Sequence, residues 1–435
     1  MRPLLGLLLL ANLLYAEFEY KGYVGVDAQG YITKPDGKHP ANFTLQQQLE
    51  LAYSVGDFES AATIYTQEDS YDLSDEKNER SFVRLDEFYG RYNFDNDMIF
   101  AGRNIRFWGA LEANNVVDTF NTKDFRTDGL DTQKQGAWNV AYTHYTESGE
   151  ISLIVKLYEE KQPMAAYPYV YYFFPENTQV GKLEYDKDIQ SVESLYRPTV
   201  YLNWSGSTES DYPVDYAFIL QHGFDGQRAF ASKTDPLTFT TTLNEEAYLV
   251  NKAMTYNTMV VGSTLLKLEA QATDVIDTTY TAASNVQLRV EDYYQFGLGL
   301  EHTLSGVIGD ADLGLIGEYY YYNTFKQESG IADDLTLFQI FQNDLFVGLR
   351  YTFNDASDSS IIAGAIVDLE YEEQSYSIEY QTRFFDVLSM KADYAYINPS
   401  TTEPTAYALM GSDPNDPTAT PTAHQRVGIN LAYHF

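Results

Sequence analysis

The chain has 435 residues, no cysteine, 38 tyrosines, 25 phenylalanines and 28 Lys+Arg set against 63 Asp+Glu, a formal charge of −35. That acidity argues against nucleic-acid binding, whose affinity comes from basic side chains on phosphates, and the missing cysteines exclude disulfides, thiolate zinc sites and cysteine nucleophiles. An aromatic content of 15% excludes an acidic disordered chain, and no linker-like stretch divides the middle, which points to one large closed architecture.

The first residues read as an address. Met1-Arg2 supplies a positive start, residues 4–14 an apolar run, and Ala16 a small residue before Glu17-Phe18-Glu19. This predicts a secretory signal peptide over 1–16; the run is shorter than the roughly 20 residues a membrane helix needs. Residues 17–435 are expected to form one domain.

From Phe18 the pattern has period two. Phe18, Tyr20, Val24 and Val26 alternate with Glu19, Lys21 and Asp27; Phe43, Leu45, Leu49 and Leu51 alternate with Thr44, Gln46, Gln48 and Glu50. The alternation returns in Leu345, Val347 and Leu349 against Gly348 and Arg350, and in Ala363 and Ala365 against Gly364. It closes the chain with Val427, Ile429, Leu431, Tyr433 and Phe435 against Arg426, Gly428, Asn430 and His434. One face of each strand is apolar and the other wet.

Short turns (Gly56-Asp57, Gly262-Ser263, Phe385-Asp386 among them) alternate along the chain with long polar connections such as 31–41, 68–79, 110–135, 161–188 and 399–422. The link at 372–374 is short where a long one is due. Such segregation is the mark of a membrane barrel with turns at one rim and loops at the other. The predicted fold is therefore all-β: a transmembrane antiparallel up-and-down β-barrel of about 18 strands, or 16 if the weak tenth and thirteenth segments are not strands. Tyr53, Phe58, Phe94, Tyr145, Trp204, Phe353 and Phe385 flank the short turns, where rings favour the headgroup level.

The terminal Phe435, in phase with Tyr433 and Leu431, is similar to the signature that bacterial outer-membrane proteins present to their barrel-assembly machinery. The stretch Gly102-Arg103-Asn104-Ile105-Arg106-Phe107-Trp108-Gly109, followed by Asp118, Asn121 and Asp124, resembles the Gly-Arg…Trp-Gly…Asp…Asn…Asp segment of large porin-like outer-membrane proteins. Thr122 stands where those proteins often carry proline. The resemblance implies the outer membrane of a Gram-negative bacterium, with outer-membrane lipid, lipopolysaccharide and the assembly machinery as partners, and an oligomer as an open possibility. Arg103 and Arg106 have opposite parity, so at least one must point into the lumen or sit at the rim. The long loop after them is expected to fold inward, or else to be a solvated surface loop.

With apolar parity toward lipid, the lumen receives Lys267, Glu269, Arg350, Glu379, Arg383, Lys391, Asp393 and Arg426, a mixed-charge set able to select ions or small solutes. None of the six histidines makes a metal-spaced pair or adjoins a nucleophile elbow, so no catalytic site and no metal centre is expected. Glu68, Asp69, Asp72, Asp75, Glu76 and Glu79 form an acidic external loop, with Asp413 and Asp416 in another; they are solvated surface or a bridge for divalent cations, and no other cofactor is expected. The run 167–175, rich in tyrosine, is either a stacking surface in the mouth or packing for the upper aromatic belt. These features predict a passive channel for ions or small hydrophilic solutes. The alternatives are a structural or adhesive surface barrel and, last, a rim-located hydrolase.

Overall fold

Period-two alternation becomes 18 strands hydrogen-bonded in one closed antiparallel sheet. The computed structural model describes residues 17–435 apart from 75–77, 128–132, 173, 175, 177, 186–196, 239, 277–278, 282–286, 290, 326–340, 402–404 and 413–418. The expected signal peptide, and Asp75, Glu76, Asp413 and Asp416, lie outside the described residues.

The first half of the wall comprises β1 (Glu17–Thr33), β2 (Ala41–Val55), β3 (Phe58–Asp69), β4 (Phe82–Phe94), β5 (Asp97–Asn104), β6 (Ala137–Thr146), β7 (Gly149–Lys156), β8 (Thr199–Ser207) and β9 (Val214–Phe224). The second half comprises β10 (Leu249–Val261), β11 (Thr264–Val275), β12 (Tyr293–Ile308), β13 (Ala311–Thr324), β14 (Asn343–Thr352), β15 (Ser360–Asp368), β16 (Gln374–Phe384), β17 (Leu388–Asn398) and β18 (His424–His434). Both weak segments, β10 and β13, are full strands. Each strand pairs with its chain neighbours, and β1 closes the ring on β18 with Val26 opposite Leu431. Residues directly opposite in such a pair share a face, so one register carries the outer surface round the ring: Val347 opposite Ala365 and Ala365 opposite Tyr376.

The outer face is apolar and exposed, with Val24, Leu45, Leu202, Leu298, Val347 and Ile429 among the uncovered side chains. Water would not tolerate so continuous an apolar surface, whereas a bilayer requires it. Trp204 and Phe353 stand exposed beside their short turns, as the belt pattern requires. At the closure Phe435 and Gly22 exchange backbone hydrogen bonds of 3.0 Å. A Cβ on Gly22 would lie 2.2 Å from the Gln48 carbonyl oxygen and 3.0 Å from the Phe435 ring, so only glycine lets the terminal ring close the seam. Small sheets outside the wall, including the residues 178–185, 229–234 and 241–247, belong to the long loops.

Candidate functional site: a loop across the barrel lumen

The connection from β5 to β6 leaves the wall and turns inward. Its neck is stitched by Asn121, which donates to the carbonyls of Asn104 at 3.1 Å and Gln135 at 2.8 Å and accepts the Arg106 N–H at 2.7 Å. Arg106 lies inside the barrel, its guanidinium 5.5 and 5.4 Å from the Phe100 and Phe120 rings, and donates to Asn139. Burial lowers its pKa to about 10, which leaves it charged at neutral pH. Arg103 turns the other way, to the loop rim, and grips Glu160 with both terminal nitrogens. Asp118 pairs with Lys134; burial raises the Asp118 carboxyl while the lysine opposes the shift. Asp124 is wholly buried between Arg84 at 2.7 Å and Arg126 at 2.8 Å. Trp108 packs edge-on against Phe120 and Tyr201, with centroids 5.5 and 5.3 Å away. These residues thus stitch one loop to itself and to the wall.

Beyond Trp108 the loop reaches the far wall. Glu269 on β11 accepts the N–H groups of Ala110 at 2.5 Å, Leu111 at 2.9 Å and Val117 at 3.3 Å. Glu318 on β13 accepts those of Glu112 at 2.8 Å and Ala113 at 3.0 Å, and Tyr320 takes that of Asn114 at 3.1 Å. Two carboxylates and a phenol therefore satisfy six loop amides that would otherwise need water. Strand β13 stands eight strands from β5 in a ring of 18, close to the opposite wall. Gly109 makes the approach possible: at φ +127° its missing Cβ would lie 2.7 Å from a Glu269 oxygen. Leu111 and Val116 then pack on Tyr320, with Phe341 and Phe346 beside them.

The loop tip also completes a charge cluster. Glu112 sits 3.1 Å from Lys267 and 2.9 Å from Arg350, and Glu301 on β12 bonds the same two bases at 3.1 and 3.2 Å. Further round, Lys391 pairs with Glu379 at 2.6 Å and Arg426 with Asp393 at 2.7 Å. Arg383 makes no ion pair among the described residues and lies exposed one residue from the turn-rim end of β16. These bases occupy different heights, Arg383 lowest on its strand and Arg426 near the loop rim, and so form no single ring.

Three features escaped sequence reasoning. Lys156, Glu159 and Arg228, joined at 2.7 Å through Glu159, and Lys252 with Asp225 at 2.6 Å are buried at the loop-rim end of β7 to β10. Lys252 has the inward parity of β10, a legible signal, but its partner comes from a loop. The acidic loop is also different from its reading as solvated surface: Glu68 and Asp69 end β3, Asp69 is buried against Arg80 at 2.8 Å, and Asp72 accepts the N–H groups of Glu79, Arg80 and Ser81. The tyrosine run packs into the barrel mouth and not against the outer belt, but as buried packing rather than as an exposed stacking surface. Tyr169, Val170, Tyr171 and Tyr172 are buried against inward-facing Tyr31 and Ile397, while Phe173 and Pro175 lie outside the described residues. Lys38 reaches into this packing and donates to the carbonyls of Tyr169 and Tyr172.

No known family model and no curated protein matches the sequence. Solved structures do match over almost the whole chain. OccK11 (OpdR) of Pseudomonas aeruginosa aligns with a TM-score of 0.50 at 8% identity over 96% of both chains. OpdQ of the same organism gives 0.50 and 8% over 96% of this chain and 99% of that one. OprB of Pseudomonas putida gives 0.45 and 11% over 99% and 96%. At such identities the likeness is one of fold: the class defined here is the large transmembrane antiparallel β-barrel.

Proposed function

We propose that the protein is a passive, non-catalytic channel of a Gram-negative outer membrane, taking ions or small hydrophilic solutes through a lumen narrowed by the loop 105–136. The observation that carries this reading is the anchoring of that loop on Glu269 and Glu318, across the barrel from its root. A loop held there by five amide hydrogen bonds, with a sixth to Tyr320, divides the lumen. On the side of β7 to β10 the interior is filled by Trp108, Phe120, Tyr201, Ile219 and Met254. On the side of β14 to β18 and β1 to β2, inward Ser377 and Gln381 are exposed, and Lys391 and Glu379 keep 41% and 26% of their side-chain surface. Charged groups left so accessible belong to a watered path.

The filled half also favours a second reading, a structural barrel with a closed interior. Liposome swelling with neutral sugars of increasing size separates the two: a channel admits the small sugars and rejects the large ones with a sharp cut-off. Absence of swelling with every sugar would leave the structural barrel standing.

A further inference from the structure

Where β5 and β6 end at the turn rim, their outer face turns from apolar to polar. The outward side chains run in register from Ala101 opposite Val140, through Ile99 opposite Tyr142, to Asp97 opposite His144. Asp97 Oδ1 accepts the Tyr142 hydroxyl at 2.6 Å and the His144 Nδ1–H at 2.8 Å. A carboxylate oxygen only accepts, so Nδ1 of His144 carries the hydrogen and Nε2 of the neutral ring is left as an acceptor. Asp97 Oδ2 and His144 Nε2 have no hydrogen-bond partner among the described residues, and both side chains are partly exposed. The atoms this cluster turns outward are therefore acceptors around one carboxylate. Such a set fits a cation with several N–H groups, and with the ring neutral it offers a phosphate no hydrogen.

A hollow of about 690 Å³ opens on the same outer face above the cluster. Ala62, Gly90 and Ala101 are its small residues, and Phe58, Phe88 and Trp138 stand about them. Ala101 and Val140 line it, four residues up their strands from Asp97 and His144. That separation is about 13 Å along a strand at about 3.3 Å per residue, or about 10 Å of height at about 40° of tilt. It matches one lipid standing in the leaflet on the turn side, with its headgroup at the rim and its chain above. The hollow takes an apolar chain, and the cluster takes an ammonium. We propose that this face seats one phospholipid with a primary-ammonium headgroup, its acyl chain in the hollow and its N–H groups on Asp97 and His144. A quaternary ammonium has no N–H to give, and an anionic headgroup meets the Asp97 charge. The seat is independent of whether the lumen conducts.

Native mass measurement tests the seat on the full barrel, freed of lipid in mild detergent and offered phosphatidylethanolamine, phosphatidylcholine or phosphatidylglycerol with identical acyl chains. One phosphatidylethanolamine is expected to bind about tenfold more tightly than either of the others, the worth of one charge-assisted hydrogen bond. Asp97→Asn is expected to abolish that preference while keeping a weak adduct with each lipid. Gly90→Trp, which fills the hollow, is expected to weaken all three alike, and both variants should keep a normal heat-modifiable mobility. Equal binding of the three lipids by the unmodified protein, or an undiminished preference in Asp97→Asn, would overturn the proposal. So would a lipid-free dimer, which would give the hollow to a second copy. Should Gly90→Trp fail to assemble, the headgroup comparison on the unmodified protein and on Asp97→Asn decides alone.

Discussion

Glu269 and Leu111, 158 positions apart in the chain, are joined by a 2.9 Å hydrogen bond from the Leu111 amide to the Glu269 carboxylate. Together with the bonds to Ala110 and Val117 it holds a loop rooted at β5 on the inner surface of β11.

Removing that anchor should loosen the loop without unfolding the wall. Glu269→Ala leaves three amides without an acceptor, each worth about 1–3 kcal/mol if no water reaches it. Single-channel recordings of Glu269→Ala, and more so of Glu269→Ala with Glu318→Ala, should show larger or noisier open currents. Traces identical to those of the unmodified protein would mean that the carboxylates do not hold the loop in place.

The register of the wall is testable by charge. Ala365 faces lipid opposite Val347, so Ala365→Arg should block assembly at about 2–4 kcal/mol for a charge near mid-bilayer. Gly364 faces inward but makes a poor control, because a Cβ there would lie 2.6 Å from the Phe346 ring. Inward, exposed Ser377 should accept arginine with normal yield of heat-modifiable barrel. Equal yields for Ala365→Arg and Ser377→Arg would reject the register.

Selectivity should respond to the paired bases. Lys391→Gln with Arg426→Gln leaves Glu379 and Asp393 uncompensated, and cation preference should rise in a salt gradient, then fade near 1 M salt, where screening shortens to about 3 Å. A shift of the reversal potential toward anions would show that this side of the wall does not line the path.

The mouth should tighten with rising pH. Burial lowers the Lys38 pKa from its ordinary 10.5 to about 7. Below pH 7 both folded and unfolded forms carry the proton and the burial penalty is present in full; between about 7 and 10.5 only the unfolded form binds it, so folding of this segment gains stability as pH rises. Hydrogen exchange of the amides at 165–172, corrected for intrinsic rates, should slow across that window. Lys38→Met should remove the trend, and an unchanged trend in that variant would assign it to another group.

Much of the wall was legible because a barrel repeats one rule. Leu45, Leu349 and Ala365 announce the lipid face by parity alone, and Gly56 or Phe385 announce the turns by length and residue type. The site was legible only in part. Arg106, Trp108, Asn121 and Asp124 stood out as a motif, but the pairing of Glu112 with Lys267 and Arg350 joins three distant segments, and no local pattern encodes it. The same reason hid Asp225 with Lys252. The acidic stretch misled because charge density in a sequence says nothing of a buried partner such as Arg80, or of amides turned toward Asp72.

An open lumen narrowed by an anchored loop is tested most directly by planar-bilayer recording of the purified, refolded barrel. Discrete, long-lived conductance steps are expected, smaller than those of the variant lacking Glu269 and Glu318. A protein that inserts, as shown by its heat-modifiable mobility, yet gives no steps at any voltage would contradict it and make the filled half of the barrel the rule for the whole.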